Sequence, residues 1–455
     1  MMKRFLVIAL TAIALSTVGC SRTYPIADCE MAGTLVEQSD SCCLYEIPFV
    51  AKDGAVHTRK LILFTPGRPE WKLPLLYCAH YWASLDHPFV QKCLKDGIAL
   101  ASPYEENELE ANMTLTDDNL VFNNAAFYFL SRLPMIDASR IAVFGESAGG
   151  YMTLMISSLN MGICGSAAMS PLTNCYFNFY RHFRKAHEIN QEYVARGHGA
   201  PISVIEYIYN LFIPCIDYYD GDNDIEKWEK LSPIGLAQCI SAPLQICHFT
   251  SDMLVPIDEL CRGYAYDDTE LESMPEGFTA RMDNDLPGIL GESFVDRFPE
   301  GRCKVISRKV IDNDAYVALP YDADTLANVI IYDDGHTEGW ASHRAGHDML
   351  NFDYYPFLKD MLGRTIADTE QLIPEKLAIL LERYKGCSVQ LPAHEGFDPA
   401  IYGSIEMYRK QIVDELSGWV SYNSFEELEV AMKSVVASDR DYKFVWKDIR
   451  KRISQ

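Results

Sequence analysis

Positive charge is what this 455-residue chain has least of: 40 Lys and Arg stand against 64 Asp and Glu, a formal net charge of −24 at pH 7. A phosphate backbone is gripped by a cationic face. The balance therefore excludes nucleic acid as a partner, and it excludes docking to anionic lipid by charge alone; it serves solubility. Metal-ligand spacing is also missing. No C-x-x-C occurs, no Cys/His cluster has zinc-finger spacing, and His343 and His347 beside Asp348 lack the glutamate of a metalloprotease H-E-x-x-H. No metal or other cofactor is expected. The 13 cysteines that follow Cys20 are odd in number and scattered, which excludes a disulfide scaffold. Cys78, Cys93, Cys164 and Cys247 sit in apolar runs and read as buried free thiols. Cys29, Cys42, Cys43 and Cys387 lie in looser segments, where a bridge stays open and its pairing unreadable. Internal repeats and low-complexity tracts are absent. Hydrophobic residues, at 48%, are enough for a large core.

The first residues read as a targeting segment. Lys3 and Arg4 precede an apolar stretch, Phe5–Leu15, too short to span a bilayer. Ser16-Thr17-Val18-Gly19-Cys20 follows and resembles a bacterial lipoprotein signal. The resemblance implies that residues 1–19 are removed and that Cys20 carries lipid, anchoring the chain to the cell-envelope membrane. The alternative is an ordinary secretory peptide cut near Gly19, giving a periplasmic or secreted protein. Either cut removes Lys3 and Arg4 and takes the net charge from −24 to −26. Residues 20–40 read as a polar tether.

From residue 41 the pattern alternates. Strand-like runs cover Leu44–Val50, Lys60–Thr65, Leu73–His80 and Gly97–Ser102, with a helical stretch over 87–96. Apolar residues at helical spacing cover Asp117–Leu133, Asp137–Arg140 reads as a loop, and Ile141–Phe144 is a strand. Helix Ser147–Leu159 and strands Ser166–Ser170, Pro243–Thr250 and Asn328–Tyr332 continue the rhythm. Residues 171–230, rich in Tyr and Phe, read as a helical insertion capping the strand ends. Residues 260–325 read as a second, acidic and irregular insertion, and 363–455 as a helical C-terminal extension. Strands alternating with helices predict an α/β fold with a mostly parallel sheet over residues 41–362. Ligands bind such sheets at the carboxyl ends of strands, and His80, Ser147, Asp252 and His336 all fall just past predicted strand ends.

Gly145-Glu146-Ser147-Ala148-Gly149 sits where a buried strand turns into a helix. A serine hydroxyl is a weak nucleophile that needs a base to take its proton and a carboxylate to orient that base. The pattern resembles the G-x-S-x-G nucleophile elbow of α/β-hydrolases, in which Ser, acid and His follow in that order. His248-Phe249-Thr250-Ser251-Asp252-Met253-Leu254-Val255-Pro256 resembles the H-G-x-x-D-x-x-V-P signature of esterases and prolyl-oligopeptidase-like hydrolases, with Phe249 in place of Gly. Asp252 is then the acid. His336, after the strand Ile330–Tyr332 and the turn Asp333-Asp334-Gly335, is the base; His343 and His347 are its competitors. The resemblance implies an oxyanion hole from the N–H of Ala148 and the N–H of Tyr81 in Ala79-His80-Tyr81-Trp82, where related enzymes place glycine. Tyr81 and Trp82 would narrow the acyl side of the pocket, while His80 and His248 read as packing or supporting histidines.

These features resemble the α/β-hydrolase superfamily, most closely its prolyl-oligopeptidase-like and acetyl-xylan-esterase-like serine enzymes. The activity implied is hydrolysis of carboxylic esters, small or carbohydrate-borne, through an acyl-enzyme. A peptidase of the same group is the alternative, although those enzymes usually carry a large N-terminal propeller and only about 40 residues precede the first strand here. A non-catalytic binding protein on a hydrolase fold is the third reading.

Overall fold

Strands covered on both faces lose the polar–apolar alternation and become unbroken apolar runs. Here β4 (Leu73–Cys78), β7 (Gly165–Met169) and β8 (Leu244–Phe249) are such strands, nearly every residue buried. The structure, a computed structural model, describes residues 33–51, 55–67, 71–79, 84–104, 115, 117–202, 206, 209, 224–250, 252, 254–264, 282, 285–309, 321–333, 354–388, 399–436 and 440–455. Cys20 and the segment 1–19 lie outside these residues. The remaining strands are β1 (Thr34–Gln38), β2 (Cys42–Val50), β3 (Val56–Phe64), β5 (Ala99–Tyr104), β6 (Ile136–Glu146), β9 (Cys303–Lys309) and β10 (Ala327–Asp333). All ten join one sheet in the order β1-β2-β3-β5-β4-β6-β7-β8-β10-β9. Pairing is antiparallel from β1 to β5 and parallel from β5 onward. This is the α/β-hydrolase fold expected from the sequence.

The helices are α1 (Pro88–Lys95), α2 (Asp117–Arg132), α3 (Ala148–Leu159), α4 (Arg184–Ala195), α5 (Ile225–Leu231), α6 (Tyr355–Leu362), α7 (Pro374–Ser388), α8 (Pro399–Tyr422), α9 (Phe425–Val436) and α10 (Arg440–Ile453). Successive strand residues point to opposite faces, and the core divides accordingly. Leu75, Tyr77, Ile141, Val143, Ile246 and Ile331 enter one cluster, filled out by Phe122 and Leu130 of α2 and Leu154 of α3. Leu76, Cys78, Ala142, Phe144, Cys247 and Ile330 enter the other, closed by Phe89 of α1 and Phe357 and Leu358 of α6. The aromatics expected to cap the strand ends are partly core themselves. Tyr176, Phe177, Phe179 and Phe183 are buried on a π-helical stretch, Tyr176–Phe183, that runs into α4. Trp228 of α5 packs edge-on against Tyr176 at 5.7 Å.

Three stretches differ from the sequence reading. Asp137–Arg140, read as a loop, belongs to β6, where the register against β4 shifts. Asp137 holds that irregularity, accepting from the Ser139 N–H at 3.0 Å and from Arg140 Nε at 2.7 Å. Thr34–Gln38, inside the 20–40 tether segment, forms the exposed edge strand β1. Strand β9 lies inside the 260–325 insertion and pairs with β10. Cys78, Cys93, Cys164 and Cys247 are buried and form no disulfide; nor do Cys42, Cys43 and Cys387, while Cys29 lies outside the described residues. Burial pushes the Cys93 thiol up to about 12, so it stays protonated and inert.

The helical extension is riveted to the sheet layer by polar contacts. From α7, Lys376 Nζ donates to the Ser157 carbonyl at 2.8 Å and to Ser241 Oγ at 2.6 Å. Within the extension, Tyr384 donates to Asp448 at 2.6 Å, joining α7 to α10.

Candidate active site

Strand β6 ends at Glu146 and α3 begins at Ala148, so Ser147 alone makes the turn. Its backbone sits at φ 52°, ψ −119°. Among the described residues only Ser147 and Ser170 combine a side chain with positive φ. Such a conformation costs of order 1–3 kcal/mol and persists only where the surroundings impose it. Here the Ser147 N–H donates to the Met169 carbonyl at 2.8 Å, and the Tyr151 N–H donates to the Ser147 carbonyl at 3.0 Å. Close packing explains the flanking glycines. A Cβ on Gly145 would lie 2.5 Å from the Gly149 carbonyl oxygen, and one on Gly150 would lie 2.9 Å from Pro171 Cα. Ser147 is thereby lifted to the sheet's carboxyl edge, half-buried, at the amino end of α3. Ala148 is the first residue of that helix, whose leading N–H groups have no acceptor within the helix and favour negative charge.

Asp252 follows β8, two strands away from β6. The ladders fix this separation: the Ser170 N–H at the end of β7 donates to the Cys247 carbonyl of β8 at 2.8 Å. Two strand spacings amount to about 10 Å, a gap that one imidazole between serine and carboxylate would fill. Asp252 is fully buried. Its Oδ1 accepts from the Leu254 and Val255 N–H groups, both at 3.0 Å, which fixes the carboxylate plane.

Two further groups at this edge escaped the sequence reading. Glu259, on the single turn Ile257–Glu259, is fully buried. Its Oε1 accepts from the Thr173 N–H at 2.9 Å and its Oε2 from the Asn178 amide. Burial, reinforced by the nearby Asp252 charge, pushes its carboxyl well above the usual range. A lone glutamate after Val-Pro carries no pattern that would flag it. Ser170 is the second strained residue, at φ 39°. Its hydroxyl is buried with no hydrogen-bond partner among the described residues. His248 is buried on β8, its Nδ1 accepting the Phe249 N–H at 2.8 Å.

The other residues expected at the site lie outside the described residues. His336 and its competitors His343 and His347 lie in 334–353, and His80, Tyr81 and Trp82 lie in 80–83. The elements leading to them are in place. Ala79 donates to the Phe144 carbonyl at 3.0 Å beside β6, and Thr250 donates to the Tyr332 carbonyl at 3.0 Å between β8 and β10. Among the described residues no group of three or more His, Cys, Asp or Glu could hold a metal ion. Nor, among them, is any helix long and apolar enough to cross a membrane.

No family model matches the chain, and no curated protein matches it. Solved structures do. The chain is similar to an acylaminoacyl peptidase solved in complex with Z-Gly-Gly-Phe-chloromethyl ketone, at 14% identity and TM-score 0.39, covering 75% of this chain and 44% of that one. It is similar to a putative dipeptidyl aminopeptidase IV from Bacteroides ovatus, at 14% identity and TM-score 0.39, covering 71% and 36%. It is also similar to an acetyl xylan esterase from Paenibacillus sp. R4, at 19% identity and TM-score 0.31, covering 50% and 76%. The chain thus spans less than half the length of either peptidase.

Proposed function

We propose that this protein is a serine hydrolase that cleaves carboxylic esters through an acyl-enzyme. The observation that carries the reading is the strained backbone of Ser147, imposed by a strand end and a helix start and served by a buried, amide-fixed Asp252 two strands away. In the proposed reaction Ser147 Oγ attacks the ester carbonyl while His336 takes its proton. Asp252 holds His336 in the tautomer that accepts from serine and stabilises the imidazolium that forms. The N–H groups of Ala148 and Tyr81 receive the negative charge that develops on the carbonyl oxygen, a contribution of roughly 3–4 kcal/mol per donor in comparable sites. Collapse expels the alcohol, protonated by His336. Water then enters by the same route and releases the acid.

Peptide hydrolysis would use the same residues. An amide nitrogen must be protonated before it leaves, whereas an alkoxide leaves far more readily, so ester cleavage is the less demanding activity for this constellation. The test compares p-nitrophenyl acetate with aminoacyl p-nitroanilides. Turnover of the acetate that disappears in Ser147→Ala supports the reading. Turnover of the anilides alone moves the protein to the peptidases, and no turnover of either by the folded chain leaves a binding protein. We further propose that Cys20 carries the lipid that holds the mature chain on the envelope membrane. The mass of the N-terminal peptide tests this: an unmodified N-terminus at Met1 or Cys20 rejects it.

A further inference from the structure

At the far end of β6 from Ser147, the C-terminal extension and the sheet layer line an open cavity of about 500 Å³. That volume is in the range of small-molecule sites. Ala138, which lines it, is nine residues before Ser147 on an almost wholly extended run, or roughly 30 Å at about 3.3 Å per residue. The cavity is therefore separate from the candidate active site. Its walls are mostly apolar: Phe127 and Tyr128 from α2, Met161, Ile366, and Val420 from α8.

Its polar end is unusual for a protein of net charge −24. Arg132 of α2 and Arg452 of α10 both line the cavity, and both reach the same carboxylate, Asp414. Arg452 Nε lies 3.0 Å from Asp414 Oδ1, and Tyr128 donates to Asp414 Oδ2 at 3.3 Å. A guanidinium carries five N–H donors in a planar fork. One carboxylate shared between two such forks leaves one positive charge and several donors over. The two cations are close enough that Arg452 opposes the charge on Arg132, whose pKa is lowered, chiefly by burial. The nearby Glu415, which also lines the cavity, does not restore the balance, because it has a cation of its own: its Oε2 lies 3.8 Å from Arg383 Nη1.

We propose that this cavity is a binding site for an amphiphilic monocarboxylate, its apolar chain or ring between α2 and α8 and its carboxylate on Arg132 and Arg452. A second carboxylate completes a cluster of two guanidiniums and two anions, and the charge-assisted bonds are strengthened by the apolar surroundings. An ammonium head would face two guanidiniums and is rejected.

The test is calorimetric titration of the full chain with decanoate, with decylammonium as the head-group control. Saturable binding of decanoate is expected, and none of decylammonium. Arg452→Ala, a partly exposed position near the chain end, should weaken decanoate about tenfold or more while leaving the melting temperature unchanged. Gly418 also lines the cavity, and a Cβ built on it meets nothing within 4 Å. Gly418→Phe should therefore fold, occupy the cavity and abolish binding. Ser147→Ala should bind as the natural chain does, which separates this site from the catalytic proposal. Absence of saturable heat at millimolar decanoate overturns the inference. So does undiminished binding by Arg452→Ala or Gly418→Phe, and so does equal binding of decylammonium.

Discussion

At the carboxyl edge of the sheet, the buried Glu259 meets amides, among them the Thr173 N–H, the Asn174 N–H and the Asn178 side chain, with a second buried acid, Asp252, close by. At the join between sheet and helical extension, the buried Glu370 meets a cation. Its Oε1 lies 3.5 Å from Lys376 Nζ and accepts from Ser241 Oγ at 3.1 Å, while its Oε2 accepts the Gly162 N–H at 2.9 Å. Burial pushes both glutamates up and Lys376 down. Only at the join does an opposite charge work against that shift. The difference separates two uses of a buried acid. The paired acid ties Gly162 and Ser241 to Lys376 of α7, and removing either member of the pair leaves a buried charge without its partner. The unpaired acid stands beside Asp252 at the edge where Ser147 stands, and burial together with that neighbouring charge raises its pKa, the direction in which one of two neighbouring carboxyls gives up its charge.

Five substitutions sharpen or break this contrast. The largest effect is expected from Asp252→Asn, which keeps the Oδ1 acceptor for Leu254 and Val255 but removes the charge. It should lower kcat/KM for p-nitrophenyl acetate by about 10⁴-fold with the fold intact by circular dichroism. A loss below tenfold would remove Asp252 from the catalytic group. Next comes Lys376→Met. It leaves Glu370 without its cation, and chemical denaturation should show a loss of about 3–5 kcal/mol. Adding Glu370→Gln should restore part of that loss; no recovery would mean that Lys376 acts through its bonds to Ser157 and Ser241 instead. Gly145→Ala forces a methyl against the Gly149 carbonyl and should cost about 1–3 kcal/mol, with activity lost beyond what stability explains.

The smallest effect is expected from Glu259→Gln, and it depends on pH. The Glu259 carboxyl is raised in the folded protein above its ordinary 4.5. Above that pH the unfolded chain loses this proton while the folded one keeps it. The natural protein's stability contribution from this group is therefore full below about 4.5 and is lost as pH rises. A glutamine does not titrate. Relative to the natural chain, Glu259→Gln should gain stability as pH rises from 5 to 8, by at most about 1.4 kcal/mol per pH unit. A pH-independent difference would show that Glu259 is ionised in the folded state.

The parts of the fold that could be read from sequence are those where burial leaves no choice of residue. Leu73–Cys78 and Leu244–Phe249 are buried on both faces and so read as apolar runs. The elbow was legible because its glycines are dictated by backbone contacts within a few residues of each other. Strand β9 was not, because Cys-Lys-Val-Ile-Ser-Arg-Lys is an edge with two exposed polar positions and only a short apolar centre. Asp137–Arg140 looked like a loop because its polar residues bond to one another within the strand irregularity. Lys376 illustrates a general blind spot: a lysine on an amphipathic helix looks solvated, and only the tertiary packing of α7 on α3 buries it completely. Glu259 is invisible for the same reason.

The central claim is that Ser147 is a nucleophile raised on the sheet's carboxyl edge. Its most direct measurement is labelling of the purified full chain with a fluorophosphonate, read by intact mass and peptide mapping. One adduct is predicted, on Ser147, formed by the natural chain and absent from Ser147→Ala. A folded natural chain that takes no label, or a label that survives in Ser147→Ala, would contradict the account.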